Sequence, residues 1–145
     1  MHLVRLVYAS RFSKTMNLEE LRNILEVSRE ENPKKCITGV LCYGPGLFLQ
    51  CLEGPRPEVN ELYCKIANDT RNEDVSLLDY GDINERAFEQ WSMAYVKADD
   101  ITEHLIMRFS AGKSFDPFSM TGEQALGFVH ALLEEKERFL HEVAG

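Results

Sequence analysis

Two apolar runs joined by a short turn are the feature that most constrains the fold of this chain. The runs Cys36–Tyr43 and Leu47–Glu53 have the length and composition of β-strands. Between them stands Gly44-Pro45-Gly46, made of residues that tight turns favour. A connection this short joins antiparallel neighbours, because parallel strands need a long crossover. The sequence therefore predicts a β-hairpin at this point of the chain.

Helices and further strands are predicted on either side of the hairpin. One helix is expected to begin after Asn17, whose side chain can cap it together with Glu20. It should end near Glu31–Asn32, because Pro33 has no backbone N–H and restricts the residue before it. A second helix is expected at Pro57, since proline suits the first helical turn. The remaining strand-like segments are residues 3–9, Val75–Tyr80 and Trp91–Val96.

The order of these elements predicts an α+β fold, a ferredoxin-like βαββαββ sandwich with one sheet and two helices on one face. The other face of the sheet also carries apolar residues and must be covered. Residues 99–145 supply candidates, and we interpret them as a C-terminal helical extension that forms a lid on the sheet or an oligomer contact. The sandwich itself is assigned to residues 1–98.

Two helices are predicted within this extension. A short one is expected to be capped by Asp100 with Glu103 and to run through Met107, and a longer one begins at Thr121 with Gln124. The apolar side of the longer helix is formed by Ala125, Phe128, Leu132 and Phe139.

Length and charge restrict the function classes. The chain has 145 residues, typical of one domain without a separate effector module. With 16 Lys+Arg against 24 Asp+Glu the formal net charge is −8, and because nucleic acids are bound mainly through Lys and Arg, neither they nor an anionic membrane is a predicted partner. The four cysteines and four histidines are too scattered to predict a metal site. No signal peptide or span is evident, so we expect a cytoplasmic protein.

A glutamine occupies a position where the strand pattern calls for an apolar residue. Gln50 lies on one strand face between Phe48 and Leu52. A buried amide needs hydrogen-bond partners, or it costs about 1–3 kcal/mol. The alternative is that this face is exposed at a sheet edge. Tyr8 also lies on an apolar strand face, and in the predicted fold it can stand opposite Gln50, which indicates a pocket for a planar ligand with a polar edge.

Three further polar residues are expected near the same pocket. Asn32 ends the first helix and can point its amide into the slot between the helices. Lys65 and Arg71 flank the end of the second helix, where they suit a phosphate or a carbonyl group. Each residue alone is typical of a cap or a solvent-exposed group, so only their convergence indicates a binding site.

Short stretches of this chain match a known family in order and spacing. They are Leu6-Val7-Tyr8-Ala9-Ser10, Asn32 with Ile37-Thr38-Gly39-Val40-Leu41, Phe48-Leu49-Gln50-Cys51-Leu52-Glu53-Gly54, Asp69 with Arg71, and Phe88 through Trp91-Ser92-Met93. Together they resemble the BLUF family, blue-light sensors that use flavin, of the short stand-alone type. The resemblance covers about residues 1–98. The chain departs from the pattern at Glu31, where relatives often have Asn or His, and at Asn72, where many have His.

The resemblance implies an oxidised flavin, FAD or FMN, held between the two helices. It implies that Tyr8 donates an electron to the excited flavin and that Gln50 rearranges its hydrogen bonds to the flavin edge. It also implies that Trp91 and Met93 exchange places near the flavin and relay the change. The residues expected to contact the cofactor are Tyr8, Ile24, Ser28, Asn32, Phe48, Gln50, Leu52, Lys65, Ile66, Asp69, Arg71 and Met93.

We therefore expect a blue-light photoreceptor and not an enzyme. As members of this short type often do, it should form a homo-oligomer and signal to a separate protein through the region after residue 98. Two alternatives remain open, a small flavin-binding enzyme and a ferredoxin-like interaction module without photochemistry. Turnover with a nicotinamide cofactor would favour the first, and a colourless protein the second.

Overall fold

A computed structural model describes residues 2–12, 17–98 and 103–144, with side chains as far as Lys136. Its strands are β1 (Leu3–Phe12), β2 (Thr38–Gly44), β3 (Leu47–Pro55), β4 (Asn72–Asp82) and β5 (Ala94–Lys97). Its helices are α1 (Leu18–Glu31), α2 (Arg56–Asn68), α3 (Glu103–Phe109) and α4 (Gly122–Ala144). None of the described helices combines the length and hydropathy that a bilayer-spanning segment needs.

The strands form one mixed sheet in the order β4-β1-β3-β2-β5. All neighbours are antiparallel except β2 and β5, which run parallel. The predicted ferredoxin-like α+β fold is confirmed, and so is the hairpin. Pro45 and Gly46 make its two-residue turn between the paired Gly44 and Leu47, and Gly46 has a φ of 72°, which favours glycine.

Capping residues set the starts of α1 and α4 as the sequence predicts, whereas α2 begins at Arg56, one residue before the predicted Pro57, without a side-chain cap. The Asn17 side chain accepts a hydrogen bond from the Glu20 N–H at 2.9 Å and begins α1. At the start of α4, the backbone N–H of Thr121 donates to Gln124 Oε1 at 3.0 Å, and the Gln124 N–H donates to Thr121 Oγ1 at 3.1 Å. This is a complete capping box. The predicted cap Asp100 and the side chain of Phe139 lie outside the described residues.

The sheet separates two apolar clusters. On the face covered by α1 and α2, strand residues such as Leu6 and Leu52 pack with Leu25 and Val59. On the opposite face, Phe128 and Leu132 of α4 are fully buried against strand residues such as Leu49. Each such aromatic or aliphatic side chain contributes about 1.5–3 kcal/mol by leaving water.

The last predicted strand begins later than the sequence indicates. Residues Trp91–Val96 alternate as a strand would, but β5 starts at Ala94. The residues before it are held by other bonds: the Gly39 N–H donates to the Trp91 carbonyl at 3.0 Å, and the Asn32 amide donates to the Ser92 carbonyl at 2.8 Å. Side-chain capture of a carbonyl therefore replaces part of the strand ladder.

Candidate functional site

A largely apolar cavity lies between α1 and α2, over the centre of the sheet. Its volume of about 350 Å³ falls within the range of small-ligand sites. Ile24 and Ser28 of α1 face Leu62 and Ile66 of α2 across it, because each pair is spaced by one helical turn. The strands form its floor with Tyr8, Leu41, Phe48 and Gln50.

A chain of hydrogen bonds crosses the floor of this cavity. Tyr8 and Gln50 are directly opposite in the β1–β3 register, and the Tyr8 hydroxyl donates a short hydrogen bond to Gln50 Oε1. The Gln50 amide nitrogen in turn donates to Met93 Sδ at 3.4 Å. A thioether is a weak acceptor, and an amide nitrogen carries two N–H donors. Gln50 is therefore fixed at its oxygen end and weakly held at its nitrogen end.

Burial determines the charge state of Tyr8. Removal from water raises the pKa of its phenol well above the ordinary value, and the nearby Tyr63 and Asp69 add to the effect. The phenol, which its ordinary pKa already leaves neutral near pH 7, is kept neutral by burial, and its O–H donates a hydrogen bond to Gln50 Oε1 in the resting state. The Tyr63 ring lies 5.7 Å from the Tyr8 ring, centroid to centroid, and closes one side of the site.

Charged groups gather at the cavity mouth. Arg71 donates to Asp69 from its Nε and Nη2 atoms, the latter at 2.5 Å. These bonds lower the pKa of Asp69 and raise that of Arg71. Lys65 lies 3.5 Å from Glu61 on the exposed side of α2. Asn72 also lines the mouth, and its amide donates to the Ile66 carbonyl at 3.3 Å.

The segment Trp91–Met93 connects the cavity floor to the opposite face of the sheet. Met93 is buried in the α1–α2 cluster against Gln50, and its carbonyl accepts from Arg29 Nε at 3.1 Å. Trp91 instead packs against Phe88 with ring centroids 6.4 Å apart. Trp91 also borders a cavity of about 150 Å³ beside His130 of α4. In this structure the methionine faces the candidate site and the tryptophan faces the C-terminal helices.

Most of the predicted contact residues line the α1–α2 cavity. Those that do are Tyr8, Ile24, Ser28, Phe48, Gln50, Lys65, Ile66, Asp69 and Arg71. The other three predicted contact residues, Asn32, Leu52 and Met93, are not among the residues that line this cavity. Asn32 is buried and bound to the Ser92 carbonyl, and Leu52 is fully buried in the core. Glu31, a departure from the family pattern, forms a surface ion pair with Lys34 at 3.3 Å.

Sequence reasoning missed several lining residues. They are Asn23, Leu25, Val27, Leu41 and Leu62. The helical spacing of Asn23 and Val27 relative to Ile24 and Ser28 was a usable signal, because all four fall on adjoining faces of α1. Asn72, which the family pattern marks as a departure, also lines the cavity.

Three comparisons agree with this geometry. The family described as BLUF, sensors of blue-light using FAD, matches residues 3–94. A photoactivated adenylate cyclase subunit beta from Euglena longa is 34% identical over 108 residues, which cover 74% of this chain and 12% of that protein. The chain thus spans only a small part of this curated relative.

Solved structures match over nearly the whole chain. The photo-activated state of BlsA has a TM-score of 0.83 at 34% identity and covers 90% of this chain and 94% of its own. The dark state of BlrB, a BLUF protein, has a TM-score of 0.77 at 27% identity and covers 93% and 97%. With a family match over more than half of its residues and a cavity of the appropriate form, the chain belongs to the BLUF family of flavin-binding blue-light sensors.

Proposed function

We propose that the α1–α2 cavity holds the oxidised flavin and that blue light rearranges the hydrogen-bond chain Tyr8–Gln50–Met93. The observation that carries this proposal is the hydrogen bond between the Tyr8 hydroxyl and Gln50 Oε1 on the cavity floor. This bond places an oxidisable phenol beside an amide whose oxygen and nitrogen ends can exchange places. The amide is also joined to the segment that leads out of the site.

The residues of the cavity fit a flavin. The ring system is flat and apolar with one edge of carbonyl and ring nitrogen atoms, and the walls supplied by Ile24 and Ile66 suit its faces. Gln50 provides an amide N–H beyond its weak bond to sulfur, which suits an acceptor on that edge. At the mouth, Lys65 and Arg71 suit the phosphate of the flavin side chain.

The bound flavin supplies absorption of blue light and, in its excited state, a strong affinity for an electron. Tyr8 is the residue that meets this demand. Its phenol is neutral and its proton already points at Gln50 Oε1, so loss of an electron and transfer of the proton along the existing bond take place together. Return of the electron and proton to Tyr8 restores the phenol, so the cycle leaves no net chemical change.

Gln50 stays rearranged after the electron and the proton have returned to Tyr8, because its amide has turned or tautomerised. In a turned amide, Nε2 faces the Tyr8 oxygen and Oε1 faces Met93 Sδ. The amide oxygen and the sulfur are both acceptors, so their contact is no longer a hydrogen bond and Met93 must shift. Trp91 and Met93 lie on one short segment, and we propose that this shift is relayed through it to the side of the sheet covered by α4. This is a local two-state element that light biases.

The test is the absorption spectrum of the purified holoprotein before and after blue light. We expect a reversible shift to longer wavelength in the wild type, because the rearranged amide changes the hydrogen bonding at the flavin edge. Tyr8→Phe and Gln50→Leu should bind flavin without that shift. Tyr80→Phe, which changes a tyrosine exposed on β4, is the matched control and should shift normally.

Two outcomes contradict this proposal in different ways. A colourless purified protein that takes up no flavin favours an interaction module, whereas steady reduction of bound flavin by a nicotinamide cofactor favours an enzyme. A normal shift in Tyr8→Phe contradicts only the role assigned to Tyr8.

We further propose that residues 1–98 are the photosensor and that residues 99–145 are a lid that carries the signal to a separate protein in the cytoplasm. The burial of Ala125 and Phe128 against the sheet supports a lid, since light-driven movement of the sheet would reach α4 directly. A homo-oligomer is expected from the same region. Light scattering after size-exclusion chromatography, in darkness and in light, measures the oligomeric state; a monomer in both conditions contradicts this part.

A further inference from the structure

A fully buried glutamate lies close to the candidate site, on the other face of the sheet. Glu53 of β3 has 0% exposure, although its side chain is charged and no role in the cavity is assigned to it. Its Oε2 accepts from Arg5 Nε at 2.9 Å, and Arg5 Nη2 lies at 2.8 Å. A buried carboxylate is tolerated only when it is paired and fully hydrogen-bonded.

The remaining bonds of this carboxylate go to the connection between β4 and β5. The backbone N–H of Ala87 donates to Oε2 at 3.0 Å, and that of Phe88 donates to Oε1 at 2.8 Å. Bonds to a charged acceptor are roughly twice as strong as neutral ones. Two consecutive amides are therefore held by one immobile side chain.

Arg86 links this β4–β5 connection to the strands of the β2–β3 hairpin. Its guanidinium donates to the Cys36 carbonyl at 2.7 Å and to Thr38 Oγ1 at 2.9 Å, and it also reaches the Glu53 carbonyl at 3.3 Å. Residues 86–88 are thus fixed by two ionic side chains: Glu53 of β3, which is itself paired with Arg5 of β1, and Arg86, which reaches Thr38 of β2.

The segment that follows is held differently. Its Ser92 carbonyl accepts from a neutral amide, that of Asn32, and its Met93 carbonyl accepts from Arg29, which is exposed. The Trp91 carbonyl accepts from the Gly39 N–H at 3.0 Å, so each carbonyl of residues 91–93 has one bond and none is held by a buried charge. Residues 91–93 can therefore move more readily than residues 86–88. Trp91 and Met93 lie in this movable part.

We propose that Glu53 is a positioning residue that fixes residues 86–88, so that a change at Gln50 and Met93 is taken up by residues 91–93. This inference rests on the proposed function. The clamp keeps Trp91 packed on Phe88 in darkness. Because residues 86–88 do not yield, residues 91–93 cross a higher barrier both when they leave this packing and when they return to it, so the clamp slows recovery after light.

The experiment compares Glu53→Gln with wild-type holoprotein. The variant keeps the shape but loses the charge and one acceptor oxygen. We expect bound flavin and a normal light-induced shift, with dark recovery at least about threefold faster. Trp91 is the chain's one tryptophan, so acrylamide quenching of its fluorescence in darkness reports its packing directly, and we expect the quenching constant to rise about twofold.

Arg86→Gln is the second variant, because it changes a half-buried side chain and leaves the Glu53–Arg5 pair in place; the same effects are expected in smaller measure. Asp82→Asn is the control, since it removes an exposed ion pair with Arg56 at 2.7 Å. It should recover at the wild-type rate. If Glu53→Gln does not fold, the recovery rate and quenching constant of Arg86→Gln test the inference instead.

Recovery and quenching at wild-type values in a folded Glu53→Gln or, failing that, in Arg86→Gln overturn the inference. Absence of a light-induced shift in the wild type overturns the proposed function instead.

Discussion

The two faces of the sheet are built from the same strands but differ in packing: one leaves a cavity and the other is closed. The face under α1 and α2 leaves a cavity of about 350 Å³ and places the polar pair Tyr8 and Gln50 on its floor. The face under α4 is closed by fully buried side chains, among them Phe128 and Leu132. Alternation along β1 and β3 creates the contrast, because successive residues point to opposite faces.

This difference separates stability from function within one small domain. The packed face carries stabilising burial, and its thiols illustrate how dry it is: burial raises the pKa of Cys42 and Cys51 far above the ordinary value, so both stay protonated. The open face gives up packing to keep room for a ligand. Substitutions on the two faces should therefore be distinguishable by how added flavin changes the free energy of unfolding.

The largest effect is expected from a pair of phenylalanine truncations. Phe128→Ala should lower the free energy of unfolding by about 3–5 kcal/mol, since its fully buried ring leaves a void. Phe48→Ala should cost less, about 2 kcal/mol, because its ring already borders the cavity. Urea unfolding with and without flavin is the measurement. Flavin should stabilise Phe128→Ala as much as wild type and Phe48→Ala less; equal responses would remove the contrast between the faces.

A smaller loss is expected where the movable segment approaches the sheet. A Cβ on Gly39 would lie 2.3 Å from the Cys51 carbonyl oxygen and 3.2 Å from Met93 Cε. Gly39→Ala should therefore destabilise by about 1–3 kcal/mol through overpacking. Gly81→Ala is the matched control, since nothing lies within 4 Å of its added Cβ. Similar unfolding midpoints for the two variants would contradict the close approach at Gly39.

The smallest effect concerns the mouth of the cavity. The bonds from Arg71 hold the pKa of Asp69 below its usual range, so the pair stabilises the fold above the unfolded pKa and loses that contribution as pH falls through the folded pKa. Asp69→Asn should cost less than about 1 kcal/mol at pH 7, because the pair is partly exposed. The difference from wild type should vanish in acid below the folded pKa. A difference that grows in acid would refute the assignment.

The order of elements and the floor of the site were predictable from local patterns. The hairpin turn, the Asn17 cap and the alternation around Gln50 each depend on residues close in sequence, and β1 then pairs with β3 in the register that brings Tyr8 to Gln50. The predicted role of Gln50 stays a proposal, but its burial and its partner agree with the prediction.

What the sequence did not predict depends on contacts between distant segments. The pattern of Trp91 to Met93 is that of a strand. The bonds from Arg29 of α1, from Asn32 just after α1 and from Gly39 show why it is not one. The sequence places Glu53 at the end of a strand-like run and does not show that it is buried, because its partner Arg5 and the amides that it binds come from other parts of the chain. Such captures leave no periodic signal.

The most direct test of the central claim follows the Gln50 side chain itself. The chain has three glutamines, and 15N labelling of their side-chain amides allows NMR to follow Gln50 in the holoprotein, with Gln90 and Gln124 as internal references and Gln50→Leu as the assignment. The account predicts that the Gln50 amide signals move under blue light and return in darkness, while the other two stay fixed. An unchanged Gln50 signal in a protein whose flavin spectrum shifts normally would contradict it.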